Sequence, residues 1–322
     1  PAAHAGPQPK PPAPPPPTYT MTLVPLGEWN STGCMYVWGM NNLGHMVGEA
    51  AGRAWLYTPQ TGTVDLDALI KGLFAADPPL GHVIAALEIN DFGQIVGRYQ
   101  PPPGQGPTKG FRFTPPDGNN PGKFEVLEPP GNFQAPFVRV RAINNWGDAV
   151  GYVYCDVAKR PYAFVWPAGQ TEAILLFGDR VSRAEDINDW GQITGRRELD
   201  NGESRAFRCT VDEEGNVTVL DLGVLGTSAS GRRWSGGLGI NNFGQVTGLS
   251  SAQKAEQSRA FRYTDGQGMV NLGILPTGSE RQFGYSCGVG INKVGHVVGY
   301  STCGPVQSAY FAGFLWTEAH GM

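Results

Sequence analysis

The sequence predicts an all-β chain: a six-bladed β-propeller of four-stranded antiparallel blades, the last blade completed by an N-terminal strand. Three observations predict it. A phrase made of a large apolar residue, Asn-x-x-Gly and a second Gly four residues on occurs six times in 322 residues. Its Asn stands at 41, 90, 144, 188, 241 and 292, a period of 44 to 54 residues, and such periods mark propellers, solenoids or arrays. Strand-like pieces follow each phrase in fixed order, and their order is circularly shifted, so that a piece owed to the last unit lies at the start of the chain.

Residues 1–18 read as a separate arm. Nine prolines fall within residues 1–17, among them Pro11, Pro12 and the run Pro14-Pro15-Pro16-Pro17. Such a tract forms neither helix nor ladder and takes an extended polyproline II path. Beginning at Pro1, the chain reads as the mature end of a secreted protein. The sequons at Asn30 and Asn216 fit an exported chain without establishing one.

Residues 19–322 read as the propeller, and the fifth repeat shows the pattern of a blade. Residues 235–240 lead into Asn241-Asn242-Phe243-Gly244, and residues 245–249 lead out. Asn bonds its own turn and Gly ends it with positive φ, so this is a tight hairpin joining strands one and two. Arg259-Ala260-Phe261-Arg262-Tyr263-Thr264 supplies the third strand and Met269-Val270-Asn271-Leu272-Gly273 the fourth. The third strand recurs with Ala or Gly before an aromatic, at Trp55, Phe111, Phe164, Phe207 and Phe314. Small residues let a neighbouring sheet approach, while aromatics fill the gap between sheets. An alternative reading makes these aromatics a sugar-binding row.

Fourth strands recur around Leu66, Leu127, Leu176, Leu222 and Leu272, five copies for six repeats. The sixth repeat ends without one, yet residues 19–27 precede the first repeat and close on Leu26-Gly27, matching Leu222-Gly223 and Leu272-Gly273. An open solenoid gains nothing from that shift, whereas a closed ring is latched by it and loses its exposed edges. First strands are rich in small residues (Ala85, Ala86, Ala142, Gly237, Gly288), as an innermost strand around an axis requires.

The phrase Gly-Ile-Asn-x-x-Gly, best carried by residues 239–248, with Arg259-Ala260-Phe261 and Asp221-Leu222-Gly223, resembles the bacterial extracellular HAF repeat family. The resemblance covers residues 19–322. The His that names the family is replaced by Arg53, Arg205 and Arg259, with Lys109 in a weaker copy. The resemblance implies export and a repeat β-fold; the family has no settled activity, so it implies no function.

Composition narrows the function classes. Charged residues make up only 16% of the chain and the net charge is −4, which argues against nucleic acid, where a clustered basic surface is needed. No apolar run approaches 18 residues, so no membrane span is expected. Five cysteines, at 34, 155, 209, 287 and 303, lack any metal-ligand spacing and read as buried thiols, with one disulfide left open. His45 and His296 occupy the slot held elsewhere by Gln94, Asp148, Gln192 and Gln245, a polar turn exit. No pair of histidines has zinc spacing, no Gly-x-Ser-x-Gly elbow occurs, and each turn offers too few oxygens for calcium. No cofactor is expected.

Two carboxylates break the repeat. Glu88 and Asp186 stand just before the apolar-Asn pair, where Gly or Ala is usual, and would both approach the axis, with Glu185 and Arg141 close by. Paired carboxylates can do acid–base work. They can equally line a solvated channel or pair with Arg141. The expected function is a non-enzymatic extracellular structural or interaction protein, self-assembling through its proline arm into a surface or filamentous assembly. Its partners are then further copies or another surface protein. Two alternatives stand beside it: a lectin-like propeller binding glycans, and a hydrolase or lyase using Glu88 and Asp186.

Overall fold

Each blade begins from its Asn. In the fifth, Asn241 Oδ1 accepts hydrogen bonds from the backbone N–H groups of Phe243 and Gln245, each at 3.0 Å. Gly244 closes the turn at φ +71°, a conformation that glycine adopts without strain. The same geometry recurs at Asn41, Asn90, Asn144, Asn188 and Asn292. A computed structural model of the chain describes residues 35–75, 81–128, 136–155, 159–170, 172–253, 258–275, 284–303 and 310–322.

Six small antiparallel sheets form a six-bladed propeller. Blade one holds β1 (Met35–Met40), β2 (Met46–Ala50), β3 (Arg53–Thr58) and β4 (Gly62–Asp65), followed by helix α1 (Leu66–Leu73). Blade two holds β5 (His82–Ile89), β6 (Ile95–Gln100), β7 (Lys109–Thr114) and β8 (Lys123–Leu127). Blade three holds β9 (Pro136–Ile143), β10 (Ala149–Cys155), β11 (Arg160–Trp166) and β12 (Ile174–Leu175). Blade four holds β13 (Ser182–Ile187), β14 (Ile193–Glu198), β15 (Ser204–Val211) and β16 (Val217–Asp221). Blade five holds β17 (Ser235–Ile240), β18 (Val246–Ser250), β19 (Arg259–Thr264) and β20 (Gly268–Gly273). Blade six shows three described strands, β21 (Ser286–Ile291), β22 (Val297–Cys303) and β23 (Tyr310–Trp316). The strand expected from residues 19–27 to complete it, and the arm with Pro11, Pro12 and Pro14 to Pro17, lie outside the described residues.

First strands of successive blades touch one another from β1 to β21, so they are innermost. Each carries a bulge at the same place, two residues before its terminal apolar residue, which skips Trp38, Leu87, Arg141, Glu185, Leu238 and Val289 in the pairing. The bulge explains the second glycine of the phrase. A Cβ on Gly195 would sit 1.9 Å from the Arg183 carbonyl oxygen, and one on Gly248 would sit 2.0 Å from that of Gly236.

Packing between blades uses repeated parts. Trp55, Phe111, Phe164, Phe207 and Phe261 are fully buried and Phe314 nearly so, which corrects the reading of these aromatics as a sugar-binding row. Leu66, Leu127, Leu176, Leu222 and Leu272 each pack in a core that also contains the next blade. Ser182, Ser235 and Ser286 hydroxyls each accept from an alanine N–H of the preceding blade, at 2.8–3.0 Å. Arg112, Arg208 and Arg262 reach forward to the turn carbonyls of Gly147, Gly244 and Gly295 and lie over Trp166, Tyr263 and Trp316 of the next blade.

Two local features differ from expectation. Leu66 belongs to α1 rather than to a strand: Asp65 Oδ1 accepts from Ala68 N at 3.0 Å and caps a helix whose Leu66 and Ile70 are buried. Between blades six and one, apolar faces remain open among the described residues. Val298 is 51% exposed, whereas its counterparts Val47, Val96, Val150, Thr194 and Thr247 are at 0%. Val37, across the same seam, is 57% exposed, whereas Ala86, Val140 and Ala184 are at 0%.

Candidate functional site

The Asn turns build one face of the propeller around the axis. Asn41 Nδ2 donates to the carbonyl of Asn90 at 3.0 Å, Asn90 to Asn144 at 2.9 Å, and Asn144 to Asn188 at 3.3 Å. Asn188 continues to Asn241 and Asn241 to Asn292, each at 2.9 Å. Each of the first five Asn amides also meets the turn-exit side chain four residues on: His45, Gln94, Asp148, Gln192 or Gln245. That slot therefore needs an acceptor, which is why it takes Gln, Asp or His.

A second, outer rosette is made by the next residue of each turn. Asp91 accepts from Asn42 through both backbone N–H and side-chain amide, each at 2.9 Å, and from the Asn145 amide at 3.3 Å. Asp189 accepts from the Asn145 N–H at 2.9 Å and the Asn242 amide at 2.8 Å. Partial burial pulls the Asp91 carboxyl upward, but the donors from Asn42 outweigh it and hold it below the usual range. These residues line an open axial mouth of about 280 Å³.

Around the rosette stands a crown of apolar turn tips. Leu43, Phe92, Trp146, Trp190, Phe243 and Val294, one per blade, are 59–75% exposed. Trp146 is fixed further by its indole N–H, which donates to the Asp189 carbonyl at 2.8 Å. Six large apolar residues at equivalent tips concentrate exposed apolar surface on one face, the arrangement expected of an interaction surface.

Below the mouth, the structure brings the two odd carboxylates together with Arg141 and Glu185. Arg141 forms its ion pair with Glu185, Nε to Oε2 at 2.9 Å, rather than with Glu88 or Asp186. Asp186 is used up by backbone: Oδ1 accepts from Ile187 N and Oδ2 from Ile240 N of the next blade, both at 2.8 Å. Glu88 Oε1 accepts from Ile89 N at 3.0 Å. Its carboxyl presses on Gly39 of blade one, where a Cβ would lie 2.5 Å from Oε1. Burial is the main cause pushing Glu88 up to about 8 and Asp186 up to about 7. Mutual repulsion with Asp186 adds to the rise at Glu88, and Arg141 opposes it in both.

No protein-family model and no curated protein matches the chain. Among solved structures, dipeptidyl peptidase 4 of Porphyromonas gingivalis is similar over 90% of this chain and 44% of its own, at 9% identity and a TM-score of 0.51. A prolyl endopeptidase is similar over 88% of this chain and 42% of its own, at 12% identity and a TM-score of 0.52. A gluconolactonase of Xanthomonas campestris aligns over 88% of this chain and 87% of its own, at 10% identity and a TM-score of 0.41. The chain spans less than half the length of the two peptidases. At these identities the likeness concerns the propeller fold alone.

Cys209, Cys287 and Cys303 are free thiols, and Cys34 lies outside the described residues. Burial pushes the Cys209 thiol up to about 12, away from nucleophile chemistry. Among the described residues no helix is long and apolar enough to cross a membrane. Sequence reasoning brought Glu88, Asp186 and Arg141 to one region but missed the crown. The signal was present: the third residue of the turn is apolar in all six repeats, although a solvent-exposed turn favours polar residues.

Proposed function

We propose that this chain is a non-enzymatic, extracellular interaction module that self-assembles, the proline arm of one copy docking on the turn face of another. The observation that supports this reading is the crown: six apolar tips, two of them tryptophan, exposed at one equivalent position per blade. Polyproline segments lose little entropy on docking and favour surfaces lined with aromatics, and residues 1–17 carry nine prolines. A role as an interaction module rather than an enzyme is supported by the axial carboxylates, whose oxygens accept backbone N–H groups from the inner strands and thereby brace them.

Sedimentation velocity and electron microscopy of the purified protein test the reading. Larger species, abolished both by deleting residues 1–18 and by Trp146→Ala/Trp190→Ala/Phe243→Ala, are expected. An unchanged size distribution in both variants would overturn it. The same tips beside fixed Asn and Asp groups suit a sugar ring, and glycan-array binding lost in the tip variant but kept in the deletion would select a lectin instead.

A further inference from the structure

We infer that the cleft between blades three and four, on the face opposite the Asn turns, binds a phosphate or sulfate group. This site is independent of the turn-face reading. The cleft is about 320 Å³ and is lined by Arg183, Arg196 and Arg197 with Pro161, Ser182 and Glu198. Arg183 of β13 pairs directly across from Arg196 of β14. Directly opposed residues on one sheet face lie close together, and like charges placed so repel.

Several other arginines have carboxylate partners: Arg98 with Glu49, Arg112 with Glu125, Arg141 with Glu185, Arg208 with Asp265. Among the described residues, Arg183, Arg196 and Arg197 have no carboxylate within ion-pair distance. Two of them stack instead, Arg183 over Tyr152 and Arg197 over Phe177, which fixes the guanidinium planes and leaves their charge uncompensated. The Nε atoms of Arg183 and Arg197 are buried and lack an acceptor. A buried donor without a partner costs about 1–3 kcal/mol, and an acceptor seated in the cleft would satisfy it.

Burial first, and then the positive field of Arg183, lower the basicity of Arg196. An anion held between Arg183 and Arg196 removes that repulsion, with Arg197, on the opposite face of β14, at the rim of the same cleft. Planar guanidinium forks match the oxygens of phosphate and sulfate, and a doubly charged group balances this cluster better than a halide can. Glu198, on the same wall, opposes an anion and keeps affinity moderate.

Isothermal titration calorimetry of the full chain with inorganic phosphate, at low ionic strength and against a sodium chloride control, tests the site. Saturable binding is expected, weakened at least tenfold in Arg183→Gln/Arg196→Gln and strengthened in Glu198→Gln. Arg232→Gln/Arg233→Gln, on an exposed loop outside the cleft, serves as a charge-matched control and should bind as the parent does. Thermal melts show whether each variant folds. A sulfated polysaccharide that binds more tightly than phosphate, with the same loss in the arginine variant, puts the group on a polymer; the reverse order puts it on a small molecule. No heat above the chloride control with either probe, or equal binding by the folded arginine variant, would overturn the assignment.

Discussion

The junction between blades four and five and the seam between blades six and one are built from the same repeat, yet among the described residues only the first is sealed. At the sealed junction, Asn188 bonds the Asn241 carbonyl, Ser235 takes the Ala206 N–H, Arg208 holds the Gly244 carbonyl, and Leu222 packs against Ile240. At the seam the same slots hold different groups. Met35 stands where Ser235 stands, Leu315 where Arg208 stands, and the leucine of a fourth strand is missing from the described part of blade six. Among the described residues, Asn292 receives from Asn241 but makes no forward link. The lesson is that consensus residues here work as halves of pairs. Among the described residues, a half without its counterpart leaves apolar surface exposed, as at Val298 and Val37.

The sharpest way to break this contrast is to remove one large side chain from each region. Phe207→Ala, in the sealed part, is expected to cost about 3–5 kcal/mol by loss of burial and creation of a cavity. Phe311→Ala, on the exposed face of blade six, should stay within about 0.5 kcal/mol. Urea unfolding compares the two. Equal losses would mean that Phe311 is covered in solution.

A smaller effect separates the links of the Asn ladder. Asn188→Ala removes its turn bonds, its amide bond to Gln192 and its forward bond to Asn241, whereas Asn292→Ala removes turn bonds alone. The first should cost about 2 kcal/mol more, about 1 kcal/mol for each of the two extra hydrogen bonds. Parity between them would indicate that a sixth link forms.

The axial carboxylates predict a pH dependence. Both carboxyls are raised in the folded protein, so the folded state holds protons that the unfolded state has already released. The stability that they contribute is fully present below about pH 4 and is lost as pH rises towards 7 to 8. Glu88→Gln keeps an oxygen for Ile89 N and should flatten part of that fall in thermal melts between pH 5 and 8. Melting curves that decline identically in parent and variant would count against the assignment.

Much of the fold was legible because turns are local. Asn-x-x-Gly dictates its hairpin through three consecutive residues and a glycine, and six copies dictate a ring. Helix α1 was not legible, since Leu66 fits the end of a fourth strand equally well and only the Asp65 cap decides. The outer rosette could not be read either, because Asp91 and Asn145 lie 54 residues apart and meet only when blades do. Arg141 lies near the carboxylates, but the bulge that re-aims first-strand side chains leaves it paired with Glu185.

The reading of the turn face as a docking surface rests on whether it holds the proline arm. A synthetic peptide of residues 7–18, titrated into a chain lacking residues 1–18, measures this directly by tryptophan fluorescence and calorimetry. Saturable binding is expected, with a spectral shift from the exposed Trp146 and Trp190 and its loss in Trp146→Ala/Trp190→Ala. Absence of binding, or binding that persists unchanged in that variant, would contradict it.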